Sequence, residues 1–254
     1  MFMANVAHDL RSPLNCMKGY NEVIKMSICE KDQKDLGVYF KRFNDQIIYM
    51  SSIIEDIIDM AKFKHKTFGL TEELFDIHTL LHDTMDMLGD QVRQKGIIMK
   101  EVIGHGVPQM VCSDPKRMKQ VFVNLVGNAM KFTSKGHILL KCNQSNFYKE
   151  TFFKRFDGQE ASMLNKDPTK KVLSFEVADT GIGIEANKLT SLFKAFGKLD
   201  DKVGLNKNGV GLGLMISKDI VEATGGQIKI ESEYGVGTTF KFDMVVGVIT
   251  HDND

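Results

Sequence analysis

The first segment to show a pattern runs from residue 2 to about 26. Met3, Val6, Leu10, Leu14, Met17 and Ile24 recur at steps of three, four or seven and predict a helix, with Pro13 as a kink. His8 falls off this stripe and is expected to face outward. The polar run from Glu30 to Asp35 reads as a turn. Beyond it Leu36, Phe40, Phe43, Ile47, Met50, Ile54, Ile57 and Ala61 alternate steps of four and three, a heptad seam that Ile53 and Ile58 widen. A lone two-helix hairpin cannot bury so wide a face. Docking two hairpins as a four-helix bundle does, which predicts a homodimer.

The pattern changes near residue 65, and Gly69 marks a plausible junction. Downstream, the periodicities predict a strand at 74–77, an amphipathic helix from Ile77 to Val92, and strands at 97–102 and 110–112. Asp114 and Pro115 then form a helix start, with an acidic cap before a first-turn proline, and that helix runs through Phe132. Strands follow at 137–142 and 173–178. Between them lies a polar, charged stretch, 143–171, too long for a hairpin and read as a surface insertion. Helices are expected at 185–196 and 214–224, the second stopped by Gly225 and Gly226. A last hairpin pairs 227–232 with 238–246. Strands and helices mix without regular βαβ alternation. The expected fold class is therefore α+β, a helical hairpin followed by an α/β sandwich with helices on one face of a mostly antiparallel sheet.

Composition narrows the function. The 254 residues are 43% apolar and 26% charged with a formal net charge of zero, which gives no electrostatic case for nucleic acid or an anionic membrane. The four cysteines are scattered, which argues against a disulfide framework or a zinc site. No apolar run approaches a transmembrane length, so any membrane anchor lies outside these residues. His78 and His82 share a helix face at i, i+4, but with no acidic or Cys partner in view they read as helix surface.

Four clusters could carry chemistry. Asn124, Asn128 and Lys131 lie at i, i+4, i+7, two amides and an ammonium on one helical face. Amide oxygens suit Mg²⁺ and an ammonium suits phosphate, but a solvated polar face has the same spacing. Asp179, Gly181 and Gly183 follow an apolar strand. The carboxylate can accept from an exocyclic amine and the glycines admit a flat ring, yet the same letters make a common turn. Gly209, Gly211 and Gly213 open a helix whose free N–H groups suit phosphate, without the Lys-Ser/Thr of a Walker loop. Gly235, Gly237 and Thr238 read alone as a hairpin turn.

Their order, behind a His-Asp-x-Arg-x-Pro helix, resembles the sensor histidine kinases of two-component signalling over nearly the whole chain except the insertion. Asn5 to Leu14 resembles the family's histidine box and Asn124 to Thr133 its asparagine box. Asp179 to Ile184 and Gly209 to Leu214 resemble its glycine boxes. Phe193 to Phe196 resembles its phenylalanine box, and Gly237-Thr238 its final element. The resemblance implies a dimerisation and phosphotransfer domain over 1–66, and over 67–254 an ATP-binding domain of the kind shared with gyrase and certain chaperones. It implies His8 as the phosphorylated residue and Asp9 as its general base. Asn128 would be the Mg²⁺ ligand with Asn124 beside it, and Lys131 a phosphate contact. Asp179 would read adenine with Gly181 and Gly183 around it. Gly209, Gly211 and Gly213 would form the lid, and Thr238 would support adenine through water. ATP and Mg²⁺ are the implied cofactors. The implied partner, beyond a second copy, is the receiver domain of a response regulator, in cis or in trans, in a phosphorelay on the cytoplasmic side of a membrane. The alternatives are a catalytically silent ATP-binding scaffold and a conformational ATPase. The second conflicts with Asn124, which stands where such ATPases carry a carboxylate. Ser12 departs from the Thr or Asn of relatives that dephosphorylate their partner, which counts against phosphatase activity. Only seven residues precede His8, too few to match the seam from Leu36 to Ala61, so the first helix is expected to continue upstream.

Overall fold

The computed structural model describes residues 14–15, 18–19, 21–22, 30–145, 169–189, 192–193 and 211–249. His8, Asp9, Ser12, Pro13 and Gly209, and nearly all of the 143–171 insertion, lie outside the described residues. The chain divides into two compact units, Met1–Gly69 and Leu70–Asp254.

In the first unit, Leu14, Asn15, Lys18, Gly19, Asn21 and Glu22 are helical, and helix α1 spans Glu30–Lys64. The helix therefore includes the expected turn at 30–35. That run is polar but holds no Gly or Pro, and Glu30 and Lys34 stand at the i, i+4 spacing and orientation that supports a helix. Polarity without a helix breaker does not end a helix. Lys66, at φ +55°, closes the helix. Thr67 N–H donates to Lys62 O at 2.9 Å and Lys66 N–H to Phe63 O at 3.1 Å, the paired bonds of a Schellman end. The heptad seam splits by burial. Ile47, Ile54 and Ala61, seven residues apart, are buried, and Ile47 and Ile54 form a cluster with Leu14 that Ile58 joins. Phe43 and Met50 are each 48% exposed, so these two seam positions stand open in a single chain.

The same helix also carries a cluster of acids. Burial, then Asp59 and Glu55, push the Asp56 carboxyl up to about 6. The folded form therefore resists ionisation: protonated Asp56 costs nothing below the ordinary Asp range, and the penalty grows as pH rises from that range and is complete above about 6. Asp56→Asn is expected to stabilise this unit by about 1–2 kcal/mol at pH 8, an effect discounted for partial exposure, and by nothing near pH 3. Denaturant midpoints at the two pH values measure it.

Among the described residues, the second unit holds one seven-stranded sheet against which helices pack. In chain order it comprises β1 (Glu73–Asp76), α2 (Ile77–Gln94), β2 (Ile97–Ile103), β3 (Met110–Ser113), α3 (Pro115–Phe132), β4 (Gly136–Ser145), β5 (Lys170–Asp179), the single turn α4 (Ala186–Leu189), α5 (Gly213–Ala223), β6 (Ile228–Glu233) and β7 (Gly237–Gly247). The strand order is β1-β3-β7-β5-β4-β2, with β6 also paired to β7. Among the described strands only β2 with β4 is parallel. Two aspartates start the long helices: Asp76 accepts from Thr79 N–H and Asp114 from Arg117 N–H, both at 3.0 Å. The core is centred where α3 meets the sheet. Phe122 of α3 packs on Phe175 of β5 and Phe242 of β7, with centroids 5.0 and 5.9 Å away.

Two boundaries differ from expectation. Strands β4 and β5 run on to Ser145 and back from Lys170, because Asn143, Gln144 and Ser145 continue the ladder opposite Ser174, Leu173 and Val172. In 185–196, the described helix is only Ala186–Leu189. Lys188 N–H bonds Glu185 O and Leu192 N–H bonds Leu189 O, the i to i+3 spacing of tight turns rather than a continuing α-helix.

Candidate functional site

Helix α3 carries the site along its last turns. At 1.5 Å per residue, Asn124 and Thr133 are about 13 Å apart along the axis, a span on the scale of an extended nucleoside triphosphate. Each end of that span meets a different part of the sheet-and-helix framework.

At the Asn124 end, α3 packs on α5. Asn124 Nδ2 donates to Ser217 Oγ at 2.7 Å, and Asn128 Nδ2 donates to Asn124 Oδ1 at 3.4 Å. Gly213, the first residue of α5, lies against the same amide: a Cβ there would sit 2.4 Å from Asn124 Oδ1. Asn128 uses its nitrogen on Asn124, so its carbonyl oxygen is the atom left to meet a cation. Lys131, one turn on, holds Nζ 5.0 Å from the Phe132 ring centroid. Gly211, just before α5, is in the left-handed region at φ +79°.

At the other end, α3 stops against the end of β5. Thr133 caps the helix with its N–H on Ala129 O. Ile182 N–H reaches Phe132 O at 3.2 Å, and Gly181 passes so close that a Cβ would lie 2.4 Å from that oxygen. Asp179 is the last residue of β5, in register with Thr238 of β7. Its carboxylate accepts from Gly181 N–H at 2.8 Å. Burial raises its pKa, and the Gly181 and Thr238 amides and the Thr133 hydroxyl oppose that rise. Thr238 is buried, and its hydroxyl pairs with Ser232 Oγ at 2.9 Å. Ser232 in turn accepts from Ile184 N–H at 2.8 Å, tying the glycine turn to the last hairpin.

The structure thus brings Asn124, Asn128 and Gly213 together at one end and Asp179, Gly181 and Thr238 at the other, with α3 between them. Sequence reasoning missed Ser217, Thr133 and Ser232. Each is a small hydroxyl whose role depends on a partner distant in the chain. His82 was read without acidic partners; its ring nitrogens lie 3.5 Å from Asp86 and 3.4 Å from Glu101. Glu101 lies on the neighbouring β2, which helix spacing alone does not show.

The Thr133 hydroxyl is sealed from solvent and faces the Asp179 carboxyl. A desolvated carboxyl beside a buried hydroxyl is a donor–acceptor set that suits an aminopurine edge. Residues 113–246 match the family described as "Histidine kinase-, DNA gyrase B-, and HSP90-like ATPase", and residues 1–66 match "His Kinase A (phospho-acceptor) domain". The chain belongs to the sensor histidine kinases. Among similar proteins, "Hybrid signal transduction protein dokA" of Dictyostelium discoideum is 33% identical over 97% of this chain and 14% of its own length. "Sensor protein GacS" of Pseudomonas syringae is 30% identical over 94% of this chain and 24% of its own. The chain thus spans well under a third of the length of these curated relatives. The fold also matches solved structures. "Crystal structure of ShkA full-length in complex with AMPPNP" aligns with a TM-score of 0.71 at 24% identity, over 98% of this chain and 46% of that one. "Acinetobacter baumannii histidine kinase AdeS" aligns at 0.54 and 21%, over 93% and 96%.

Proposed function

We propose that this chain is the kinase core of a two-component system: it binds ATP, phosphorylates its own His8 and passes the phosphoryl group to an aspartate of a receiver domain. The observation that carries the reading is the convergence on α3 of an amide pair at one end and a desolvated carboxylate at the other. The match of residues 1–66 to a phospho-acceptor domain supports His8 as the acceptor.

In this reading Asp179 accepts the exocyclic amine of adenine, Gly181 lets the ring lie against backbone, and Thr238 completes the base site. Gly183 shapes the turn beside it. Gly209, Gly211 and Gly213 enclose the phosphates together with Lys131. Asn128 would hold Mg²⁺, which would supply charge neutralisation at the phosphate oxygens. A histidine with an ordinary pKa of about 6.5 is mostly neutral near pH 7. One ring nitrogen of His8 attacks the γ-phosphorus. The P–N bond forms as the bond to the β,γ-bridging oxygen breaks, and ADP leaves with that electron pair. Asp9 holds the other ring N–H and stabilises the positive charge that develops. Tethering the ATP unit to the hairpin supplies a high effective concentration in place of tight docking. The seam residues Phe43 and Met50, exposed in one chain, support pairing with a second copy.

Incubation with γ-labelled ATP and Mg²⁺ is expected to give an acid-labile, base-stable phosphoprotein. A chain that binds ATP and never takes label overturns the proposal. Mixing His8→Gln with Asn128→Ala chains separates the two routes: label on the mixture means transfer across the dimer.

A further inference from the structure

We propose that Ser217 is a positioning residue for the nucleotide's cation, acting through Asn124 to set which atom of Asn128 faces the metal. The inference rests on the ATP and Mg²⁺ reading above and extends it to a residue of α5.

Three side chains form a directed chain across two helices. Asn128 Nδ2 donates to Asn124 Oδ1, and Asn124 Nδ2 donates to Ser217 Oγ, the shorter bond at 2.7 Å. Ser217 is 1% exposed, so water does not compete for its hydroxyl. An asparagine amide has one accepting and one donating end, and its two orientations differ only in which neighbours they satisfy. With Ser217 as acceptor, Asn124 keeps its nitrogen toward α5 and its oxygen toward Asn128. That oxygen draws the Asn128 nitrogen and leaves the Asn128 carbonyl for the cation. Reversing Asn124 alone sets two N–H groups against each other. Reversing Asn128 as well presents an NH₂ group, with no lone pair to coordinate, where a hard cation needs oxygen. Gly213 leaves no slack, since its backbone already abuts the Asn124 amide. Because α5 directly follows the glycine loop, the same bond ties the loop's exit to the cation residue.

The test is Mg²⁺ titration of ATP binding to the full chain, with a parallel titration in EDTA, for wild type, Ser217→Ala, Ser217→Cys and Ser217→Thr. The Cys variant keeps the volume with a weak acceptor, so it carries the test if the Ala variant does not fold. Ala and Cys are expected to need about tenfold more Mg²⁺ for half-maximal effect, the scale typical of lost outer partners of a metal ligand. Their ATP affinity in EDTA stays at the wild-type value, and Thr restores the wild-type titration. Ala and Cys variants that titrate like wild type overturn the role of Ser217. So does an ATP affinity that falls equally with and without Mg²⁺, which marks packing alone. A wild-type chain whose ATP affinity ignores Mg²⁺ overturns the underlying cation reading as well.

Discussion

Asp179→Asn lowers ATP affinity about 10- to 100-fold, the worth of one hydrogen bond to a charged group, roughly 1.5–3 kcal/mol. The substitution keeps the size of the side chain but replaces one accepting oxygen with a donor. In the folded protein Asp179 already accepts from Gly181 N–H, so one orientation of the new amide sets donor against donor there. The other orientation points the amide N–H at the exocyclic amine of the base. No orientation serves both. Titration calorimetry with ATP measures the loss. The same carboxyl dictates a pH dependence. Its ionised form is the one that accepts, and burial holds its pKa above the ordinary Asp value. The neighbours acting on it are the uncharged Gly181, Thr238 and Thr133, and its ladder partners Ile138 and Thr238 are uncharged too. Affinity therefore declines as pH falls through the raised pKa, beginning at a higher pH than for an exposed aspartate. The Asn variant lacks that decline.

Gly183→Ala destabilises the second unit by about 2–4 kcal/mol, combining left-handed backbone strain with an overpacked contact. Gly183 sits at φ +64°, and a Cβ there would lie 1.9 Å from Glu233 O. That atom belongs to the end of β6, and the bond from Gly235 N–H to Ile182 O, at 2.7 Å, holds the two turns together. Neither side can retreat without breaking the contact between the glycine turn and the last hairpin. Gly127→Ala is the matched control. Gly127 lies inside α3 and an added Cβ would meet nothing within 4 Å, so alanine there is expected to stabilise by about 0.5–1 kcal/mol. Thermal midpoints of the two variants should move in opposite directions.

These residues also mark what a sequence reveals. The start of α3 was legible because Asp114 and Pro115 are a local signal, complete within two positions. The family was legible because its motifs occur in order, although each alone describes an ordinary turn or helix face. The extent of β4 and β5 was not, since polar Asn143 and Gln144 join a ladder only because a partner strand lies beside them. The helical run at 30–35 was misread because charge density was taken as a break where no helix breaker stands. Within the site, Asp179 and the asparagines were singled out by the order of the motifs, since spacing alone left a common turn and a solvated helix face open. Ser217 and Thr133 were not, because a serine or threonine hydroxyl announces nothing until its distant neighbour is known. The splitting of the seam into buried Ile47, Ile54 and Ala61 and open Phe43 and Met50 likewise needed the packing of one helix on another.

The central claim is that ATP bound by the second unit phosphorylates His8. The most direct measurement compares wild type with His8→Gln for ATP binding and for label transferred from γ-labelled ATP. The account predicts equal ATP affinity, with acid-labile label on the wild type and none on the variant. Label of the same amount and chemistry on His8→Gln would contradict it.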